Sequence, residues 1–296
     1  MEYKILNNGV EIPSIGIGPG VITSSMHSRL LRKLDVEFRK IRLSSIVSHA
    51  VRGGYRLFDC DPGYGTQRLI ANGISSCRSS GVFIQSRVSD PVQRMFRDSI
   101  IEGEKALRKE LESTLEQFRI QKLDLLSFHW PQAENFLKCW SVMERCYKEG
   151  LVRAIGVSNC HEHHLLNIMR QSKIIPVTNQ IEVHPLFSQE NLMSFCRKYG
   201  IQVQAYSPLA RFDERLKRKS VLSLCTKYEK TLSQIILRWH IQRGVIPIVR
   251  SLNVKRQKEN LGVFDFSLSE QDIACVSSID IGARVRYDPD NCDQTL

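Results

Sequence analysis

Side chains able to transfer protons follow short apolar runs at several places in this 296-residue sequence. Asp59 and Tyr64 follow one such run, and Arg87 and His129 stand near the ends of two later ones. A carboxylate and a phenol at the mouth of a buried strand cost free energy unless something pairs with them. Parallel strands that close into a barrel bring such ends together at one rim, where barrel enzymes keep their chemistry. We therefore expect Asp59, Tyr64, Arg87 and His129 to form one site.

The elements that must position these groups alternate between strand-like and helical segments. The predicted strands are 55–59, 82–88, 123–129, 152–157, 177–182, 201–207 and 246–249, and the predicted helices include 67–77, 97–118, 136–149, 162–171, 189–199, 255–262 and 269–279. Repeated β-then-α units of this size are typical of an α/β fold with a parallel sheet, and their number suits a closed (β/α)8 TIM barrel. No linker interrupts the pattern, so we predict a single domain over residues 1–296.

Three segments precede the alternating pattern. Asn7-Asn8-Gly9 lies between two strand-like runs and predicts an N-terminal β-hairpin, because Asn and Gly tolerate positive φ. The run 16–20 (GIGPG) lacks the glycine spacing of a dinucleotide fingerprint, so we interpret it as a glycine-rich turn. The segment 28–51 has helix-spaced apolar residues among arginines and lysines. It predicts a solvated barrel helix with a basic face rather than a helix lying on a membrane.

The composition limits the functional classes. The chain has a net charge of +11, which favours anionic ligands such as phosphates, but no nucleic-acid-binding motif accompanies the charge. We therefore predict no nucleic-acid partner. No apolar run approaches the length of a membrane helix, and the first residues do not resemble a signal peptide. The nine cysteines lack repeated CxxC spacing, so we expect free thiols and a cytoplasmic protein without a membrane partner.

Six motifs give the sequence a close resemblance to the aldo-keto reductase family. They are 8–13 (NGVEIP), 54–59 (GYRLFD), 128–131 (FHWP), 150–159 (GLVRAIGVSN), 179–185 (NQIEVHP) and 206–209 (YSPL). The resemblance covers nearly the whole chain and implies a (β/α)8 barrel that binds a nicotinamide cofactor without a Rossmann domain. It also implies NADPH-dependent reduction of a small aldehyde or ketone, and we expect a monomer.

The resemblance assigns a role to each residue of the predicted site. Tyr64 aligns with the general acid, Asp59 with the carboxylate that holds a cation, and His129 with the imidazole that orients the carbonyl oxygen. Arg87 stands where the family has lysine. We expect the cation to lower the pKa of Tyr64, but an arginine can also pair with Asp59 and turn its charge away from the phenol.

Further departures from the family lie close to this site. Pro19 and Gly20 replace a threonine and an aromatic residue, Asp61 replaces a small residue, and Thr66-Gln67 replaces Asn-Glu. Two hypotheses follow. The first is an active carbonyl reductase, and the alternative is a catalytically weak NADPH-binding barrel that serves as a sensor or interaction module.

By resemblance, a second set of residues binds NADP(H). Ser158, Asn159 and Gln180 would hold the carboxamide, Tyr206 would stack on the nicotinamide, and Ser207 and Leu209 would approach the pyrophosphate. The segment at the 2′-phosphate comprises Arg250, Ser251, Arg256, Glu259 and Asn260. A guanidinium pairs bidentately with a phosphate, so arginine is a sound substitute for the family lysine at position 250.

Two other features could suggest chemistry. The run 160–164 (CHEHH) has metal-ligand residue types, but it opens a helix and no distant ligand pair stands out, so we predict no metal site. Cys60 could be a reactive thiol beside Asp59. We expect it instead to be a small buried side chain.

Overall fold

Eight parallel strands form a closed barrel at the centre of the molecule. The computed structural model describes residues 1–18, 20, 29–77, 81–132 and 135–294. The barrel strands are β3 (Gly16–Ile17), β4 (Leu57–Asp59), β5 (Phe83–Val88), β6 (Leu125–Phe128), β7 (Ile155–Ser158), β8 (Thr178–Glu182), β9 (Gln202–Tyr206) and β10 (Ile246–Val249). Each strand pairs with the next in the chain, and β10 closes the ring against β3. The predicted TIM barrel is confirmed.

Helices surround the barrel in the predicted order. They are α1 (Arg29–Gly53), α2 (Gln67–Ser75), α3 (Asp90–Asp98), α4 (Ile100–Phe118), α5 (Asn135–Lys148), α6 (Glu162–Gln171), α7 (Glu190–Lys198), α8 (Lys219–Tyr228), α9 (Leu232–Gln242), α10 (Val254–Leu261) and α11 (Glu270–Ser277). The basic segment predicted at 28–51 is α1, which buries Leu43, Val47 and Val51. No helix of the described ranges has both the length and the apolar character needed to cross a membrane.

The predicted helix 97–118 begins too early. Ser99 has an extended backbone, with φ −150° and ψ 127°, and so it separates α3 from α4. Its hydroxyl accepts a hydrogen bond from the Glu102 backbone N–H at 3.3 Å, which caps the start of α4. The missed helix α3 begins at Asp90-Pro91, and proline is favoured in the first turn of a helix.

The prediction of a glycine-rich turn at 16–20 is wrong for its first two residues. Gly16 and Ile17 form the first barrel strand, hydrogen-bonded between β10 and β4. A Cβ atom at Gly16 would lie 2.6 Å from Ile248 Cδ1 and 2.8 Å from Leu57 Cδ2. Glycine is therefore needed here because side chains from both neighbouring strands fill the space. Pro19 lies outside the described residues.

The predicted N-terminal hairpin closes the amino-terminal end of the barrel. Strands β1 (Tyr3–Ile5) and β2 (Glu11–Pro13) pair antiparallel. The hairpin residues Leu6 and Ile12 join an apolar cluster with the first residues of the barrel strands, including Leu57 and Phe83. Because apolar packing covers this end, the opposite, carboxyl-terminal rim is where a ligand site is expected in a barrel of this kind.

The close contact between α1 and α2 gives a stability prediction. A Cβ atom at Gly73 would lie 2.5 Å from the backbone oxygen of Ser44 and 2.7 Å from Val47 Cβ. We expect Gly73→Ala to lower the free energy of unfolding in urea by roughly 1–3 kcal/mol, the usual effect of overpacking. Gly53→Ala is the matched control, since a Cβ there meets nothing within 4 Å. Equal stabilities of the two variants would contradict this account.

Candidate active site

A buried ion pair lies at the centre of the carboxyl-terminal rim. Arg87 Nη2, from β5, is 2.8 Å from Asp59 Oδ1 and 3.0 Å from Asp59 Oδ2. The same nitrogen donates to Gln180 Oε1, and Nη1 donates to the Cys60 backbone oxygen at 3.2 Å. Within the described residues, none of these guanidinium hydrogen bonds goes to Tyr64. Burial alone would lower the pKa of Arg87, but the Asp59 carboxylate reverses this and holds the guanidinium charged.

Three glutamine amides complete the surroundings of the ion pair. Gln85 Nε2 donates to Asp59 Oδ1 at 2.5 Å and to Gln204 Oε1 at 3.1 Å. Gln204 donates back to Gln85 Oε1 at 2.8 Å, and Gln180 donates to Gln204 Oε1 at 2.9 Å. All three amides are buried in the barrel. They supply the hydrogen bonds that a buried carboxylate and guanidinium need.

The sequence analysis did not assign Gln85 or Gln204 to the site. Gln85 lies two residues before Arg87 on β5, and Gln204 lies two residues before Tyr206 on β9. Residues two apart in a strand face the same side of the sheet. This period of two was a usable signal that both amides point into the barrel.

Tyr64 lies on the single helical turn that follows β4. Burial raises the pKa of its phenol to about 12; Arg87 opposes the rise, whereas Asp61, Asp59 and Asp90 add to it. The expected lowering of this pKa is therefore not found in the protein alone. Arginine does favour the phenolate, but it is outweighed by burial and by three nearby carboxylates.

His129 faces Tyr64 across the rim. Their ring centroids are 6.3 Å apart, with the rings inclined at 76°. The Nδ1 atom of His129 is 3.0 Å from Asp90 Oδ1 and 3.5 Å from Asp61 Oδ2. Two carboxylate oxygens therefore lie on the Nδ1 side of the His129 ring.

Asp61 is a second carboxylate buried in the site. It is only 2% exposed, and its Oδ1 accepts a hydrogen bond from the Gly63 backbone N–H at 2.8 Å. Its Oδ2 has no hydrogen-bond partner among the described residues. Burial raises the pKa of Asp61, although His129 and Arg87 pull it down. The sequence analysis noted this residue as a departure but did not place it beside His129.

Unpaired polar atoms lie next to His129, at the end of β7. Asn159, with a left-handed φ of 60°, donates from Nδ2 to the His129 backbone oxygen at 2.9 Å. Ser158 Oγ and Asn159 Oδ1 are buried and have no hydrogen-bond partner within the described part of the chain. A hydroxyl and an amide oxygen in this state fit a ligand carboxamide. Gln180, in contrast, is already bonded to Arg87.

The loop after β9 has an unusual backbone. Ser207 and the three residues Ala210–Phe212 have φ between 44° and 60°. Left-handed residues other than glycine cost free energy and concentrate at ligand sites. The Tyr206 hydroxyl, just before this loop, is buried without a hydrogen-bond partner among the residues described, and burial raises its pKa. Leu209 is partly buried on the same loop.

Residues predicted to bind a phosphate lie in the loop after β10 and on α10. Arg250 and Arg256 are exposed, and Ser251 is buried, with its hydroxyl donating to the Asn253 backbone oxygen at 3.0 Å. The Arg256 guanidinium carbon is 5.9 Å from the centre of the Phe212 ring. Arg256 thus lies beside the left-handed loop, and a ligand bound against that loop would be within reach of its guanidinium group.

Two other predicted ligand residues make internal contacts. Glu259 Oε1 accepts a hydrogen bond from Thr231 Oγ1 at 2.7 Å. Asn260 is buried against Tyr55, where its hydrogen bond counters the pKa rise that burial imposes on the phenol. Both side chains therefore also tie α10 to its neighbours.

Cys60 follows Asp59 at the edge of the site. Burial raises the pKa of its thiol, and Asp59 raises it further. A thiol in this environment stays protonated and is a poor nucleophile. The expectation of a small buried side chain is confirmed for Cys60, and no disulfide forms among the cysteines whose side chains the structure describes.

Comparison with known proteins now identifies the family. The profile of the Aldo/keto reductase family matches residues 37–281. The chain belongs to this family.

Several relatives match almost end to end. The glyoxal reductase of Bacillus subtilis is 32% identical over 96% of this chain and 95% of its own length. The 9,11-endoperoxide prostaglandin H2 reductase of Trypanosoma cruzi is 34% identical over 97% of this chain and 94% of its own. The crystal structure of a Bombyx mori aldo-keto reductase in complex with NADP superposes with a TM-score of 0.83 and 28% identity, covering 99% of this chain and 97% of that one. Aldo-keto reductases are oxidoreductases that use NADP(H).

The buried charge of Asp61 leads to a pH-dependent prediction. Because the pKa of Asp61 is raised in the folded state, the protonated side chain favours folding and the ionised side chain opposes it. The stabilisation by protonation is present at low pH and is lost as the pH rises through the folded-state pKa. Asp61→Asn keeps the acceptor for Gly63 and removes the charge. We expect a higher free energy of unfolding for the variant at pH 7, with the difference shrinking toward pH 3.8, the ordinary pKa of the side chain.

The control for this measurement is Asp98→Asn, which changes an exposed carboxylate in the same way. Its effect should be small across the pH range. Urea unfolding of both variants at pH 4 and pH 7 tests the point. A lower stability of Asp61→Asn at pH 7 would show that the charge pairs favourably with His129 instead.

Proposed function

We propose that this protein reduces the carbonyl of a small aldehyde or ketone to an alcohol with NADPH. The observation that carries the proposal is the pairing of Tyr64 with His129 directly beside the unpaired atoms of Ser158 and Asn159. An acid and an orienting imidazole thus stand next to atoms able to hold a nicotinamide carboxamide. Two of the relatives are named glyoxal reductase and methylglyoxal reductase, and both names specify a small carbonyl compound.

Each residue of the site has a definite task in this mechanism. The bound cofactor supplies the hydride. Ser158 and Asn159 hold its carboxamide, and His129 orients the substrate oxygen. Tyr64 gives its hydroxyl proton to the oxygen as negative charge develops there, and solvent then reprotonates the phenolate. Because an alkoxide is a far stronger base than a phenolate, this transfer remains favourable with the raised pKa of Tyr64.

Arg250, Ser251 and Arg256 support a preference for NADPH over NADH. Arg250 and Arg256 are exposed, Arg256 lies beside Phe212 of the left-handed loop, and a guanidinium pairs well with a 2′-phosphate. We assign Glu259 and Asn260 to the adenosine end of the same cofactor, in addition to their internal contacts. The protein is further proposed to act as a cytoplasmic monomer on a small-molecule substrate, without nucleic-acid or membrane partners.

A second candidate function is an NADPH-binding module with weak catalysis. The specific observation in its favour is the direction of Arg87, whose hydrogen bonds go to Asp59 and Gln180. Burial raises the pKa of the Tyr64 phenol, and Arg87 opposes this rise without overcoming it. In this case the barrel would bind the cofactor without efficient proton transfer.

The role of Tyr64 is tested by Tyr64→Phe, which removes one hydroxyl from the reacting centre. We expect NADPH oxidation with a panel of small aldehydes to fall about a hundredfold or more, the usual loss for a general acid. The dissociation constant of NADPH, measured by fluorescence titration, should stay within about twofold. Turnover as fast as that of the parent would rule out Tyr64 as the acid.

The two candidate functions are separated by Arg87→Lys. An ammonium has one nitrogen instead of a planar fork, so it can face Asp59 and Tyr64 together. If the strength of the acid limits turnover, one or two units of pKa lowering should raise the single-turnover rate roughly ten- to a hundredfold. The rate is measured with one reactive aromatic aldehyde, and NADPH affinity is the control. Tight NADPH binding with no turnover in either protein would favour the binding module.

A further inference from the structure

Three histidines at the start of α6 meet an aspartate from the carboxyl-terminal tail. Asp290 Oδ1 lies 3.0 Å from His161 Nδ1, 3.4 Å from His163 Nε2 and 3.8 Å from His164 Nε2. The potential ligand atoms of all four residues lie within 4.8 Å of one another. Nothing in the proposed carbonyl chemistry uses this cluster.

The spacing matches what a metal ion requires. In a tetrahedral zinc site with bonds of about 2.0–2.1 Å, neighbouring ligand atoms are about 3.4 Å apart. The distances from Asp290 Oδ1 to the ligand atoms of His161 and His163, 3.0 and 3.4 Å, are close to this value. Imidazole nitrogens with one carboxylate oxygen suit Zn²⁺ and similar transition metals rather than Ca²⁺ or Mg²⁺.

We propose that His161, His163 and Asp290 bind a divalent transition metal ion of the zinc class. His161 would bind through Nδ1, His163 through Nε2 and Asp290 through Oδ1. His164 is placed beside the ion, with its ring centroid 3.9 Å from that of His163. Its Nδ1 accepts a hydrogen bond from the His161 backbone N–H at 3.1 Å, which keeps the ring proton on Nε2. A water molecule therefore takes the fourth position.

An adjoining cavity gives the ion a route of entry. A cavity of about 490 Å³ is lined by both His161 and His163, and its walls include the carboxylates of Glu190 and Asp280. Nearby acids favour the approach of a cation. The cavity also provides room for the water ligand.

Metal binding would change one contact of His161. In the structure, its Nε2 lies 3.2 Å from Arg284 Nη2, while its Nδ1 faces Asp290. With a metal on Nδ1, the ring proton of His161 lies on Nε2. This nitrogen then cannot accept a hydrogen bond from the Arg284 guanidinium. Arg284 would then turn toward Asp288, whose Oδ2 is already 3.6 Å from its Nε. The rearrangement is local and keeps the guanidinium paired.

A metal at this site would attach the carboxyl-terminal tail to the barrel at a second point. The first is Glu182 at the end of β8, whose carboxylate accepts hydrogen bonds from the backbone N–H groups of Val285 at 2.5 Å and Arg286 at 3.0 Å. A metal at Asp290 would hold the next turn of the tail against α6. The sequence analysis predicted no metal because no distant ligand was visible; the fold supplies Asp290.

The proposal is tested by metal titration of the full-length protein after EDTA treatment. We expect calorimetry to show one equivalent of Zn²⁺ for the parent. His163→Gln and Asp290→Asn should each weaken this binding at least tenfold. Their side chains are 58% and 47% exposed, so the substitutions should not disturb folding. The matched controls, His49→Gln and Asp98→Asn, change exposed side chains outside the cluster and should bind as the parent does.

Cobalt absorption distinguishes this site from the cysteines. One equivalent of Co²⁺ should give visible bands of nitrogen and oxygen ligands without the near-ultraviolet band of a thiolate. Thiolate bands, the absence of saturable binding, or unchanged affinity in both His163→Gln and Asp290→Asn would each overturn the proposal.

Discussion

The buried pairing of Arg87 with Asp59 is the constraint on which the rim depends. Both charges lie inside a barrel of mostly apolar strands, where an isolated ion costs several kcal/mol even after relaxation. Removing either partner would leave the other as an unpaired buried charge. The pair also needs additional hydrogen bonds, because each partner has polar atoms that the other does not satisfy. Gln85, Gln180 and Gln204 supply them, so three strands are tied to one electrostatic centre.

This arrangement determines what the cation can do for Tyr64. A guanidinium distributes its charge over a plane and makes several directed hydrogen bonds. In this site Asp59, Gln180 and the Cys60 carbonyl take those bonds, and the phenol receives only the longer-range field. Arginine therefore ties the barrel interior together, and its hydrogen bonds are directed away from the phenol.

Much of this architecture was predictable, and the exceptions have physical reasons. Helix α6 begins and ends where the apolar period of the sequence places it, at Glu162–Gln171. Strand β3 was missed because its two residues carry too little side-chain pattern, and its glycine is explained only by Ile248 and Leu57 from strands far along the chain. The break at Ser99 depends on a single extended residue inside otherwise continuous helical periodicity.

The residues that sequence reasoning did not place in the site share a different cause. Family motifs indicate which strand ends carry chemistry, but Asp61 and Asp90 become neighbours of His129 only because β4, β5 and β6 lie side by side in the barrel. Asp290 likewise reaches α6 because buried Glu182 holds the backbone of the tail at Val285 and Arg286. The hairpin closes the amino-terminal end of the barrel, so the candidate site lies at the carboxyl-terminal rim. There it is formed by contacts between residues that are far apart in the sequence. Local periodicity therefore predicts the scaffold, whereas the electrostatics of the rim follow only from the three-dimensional fold.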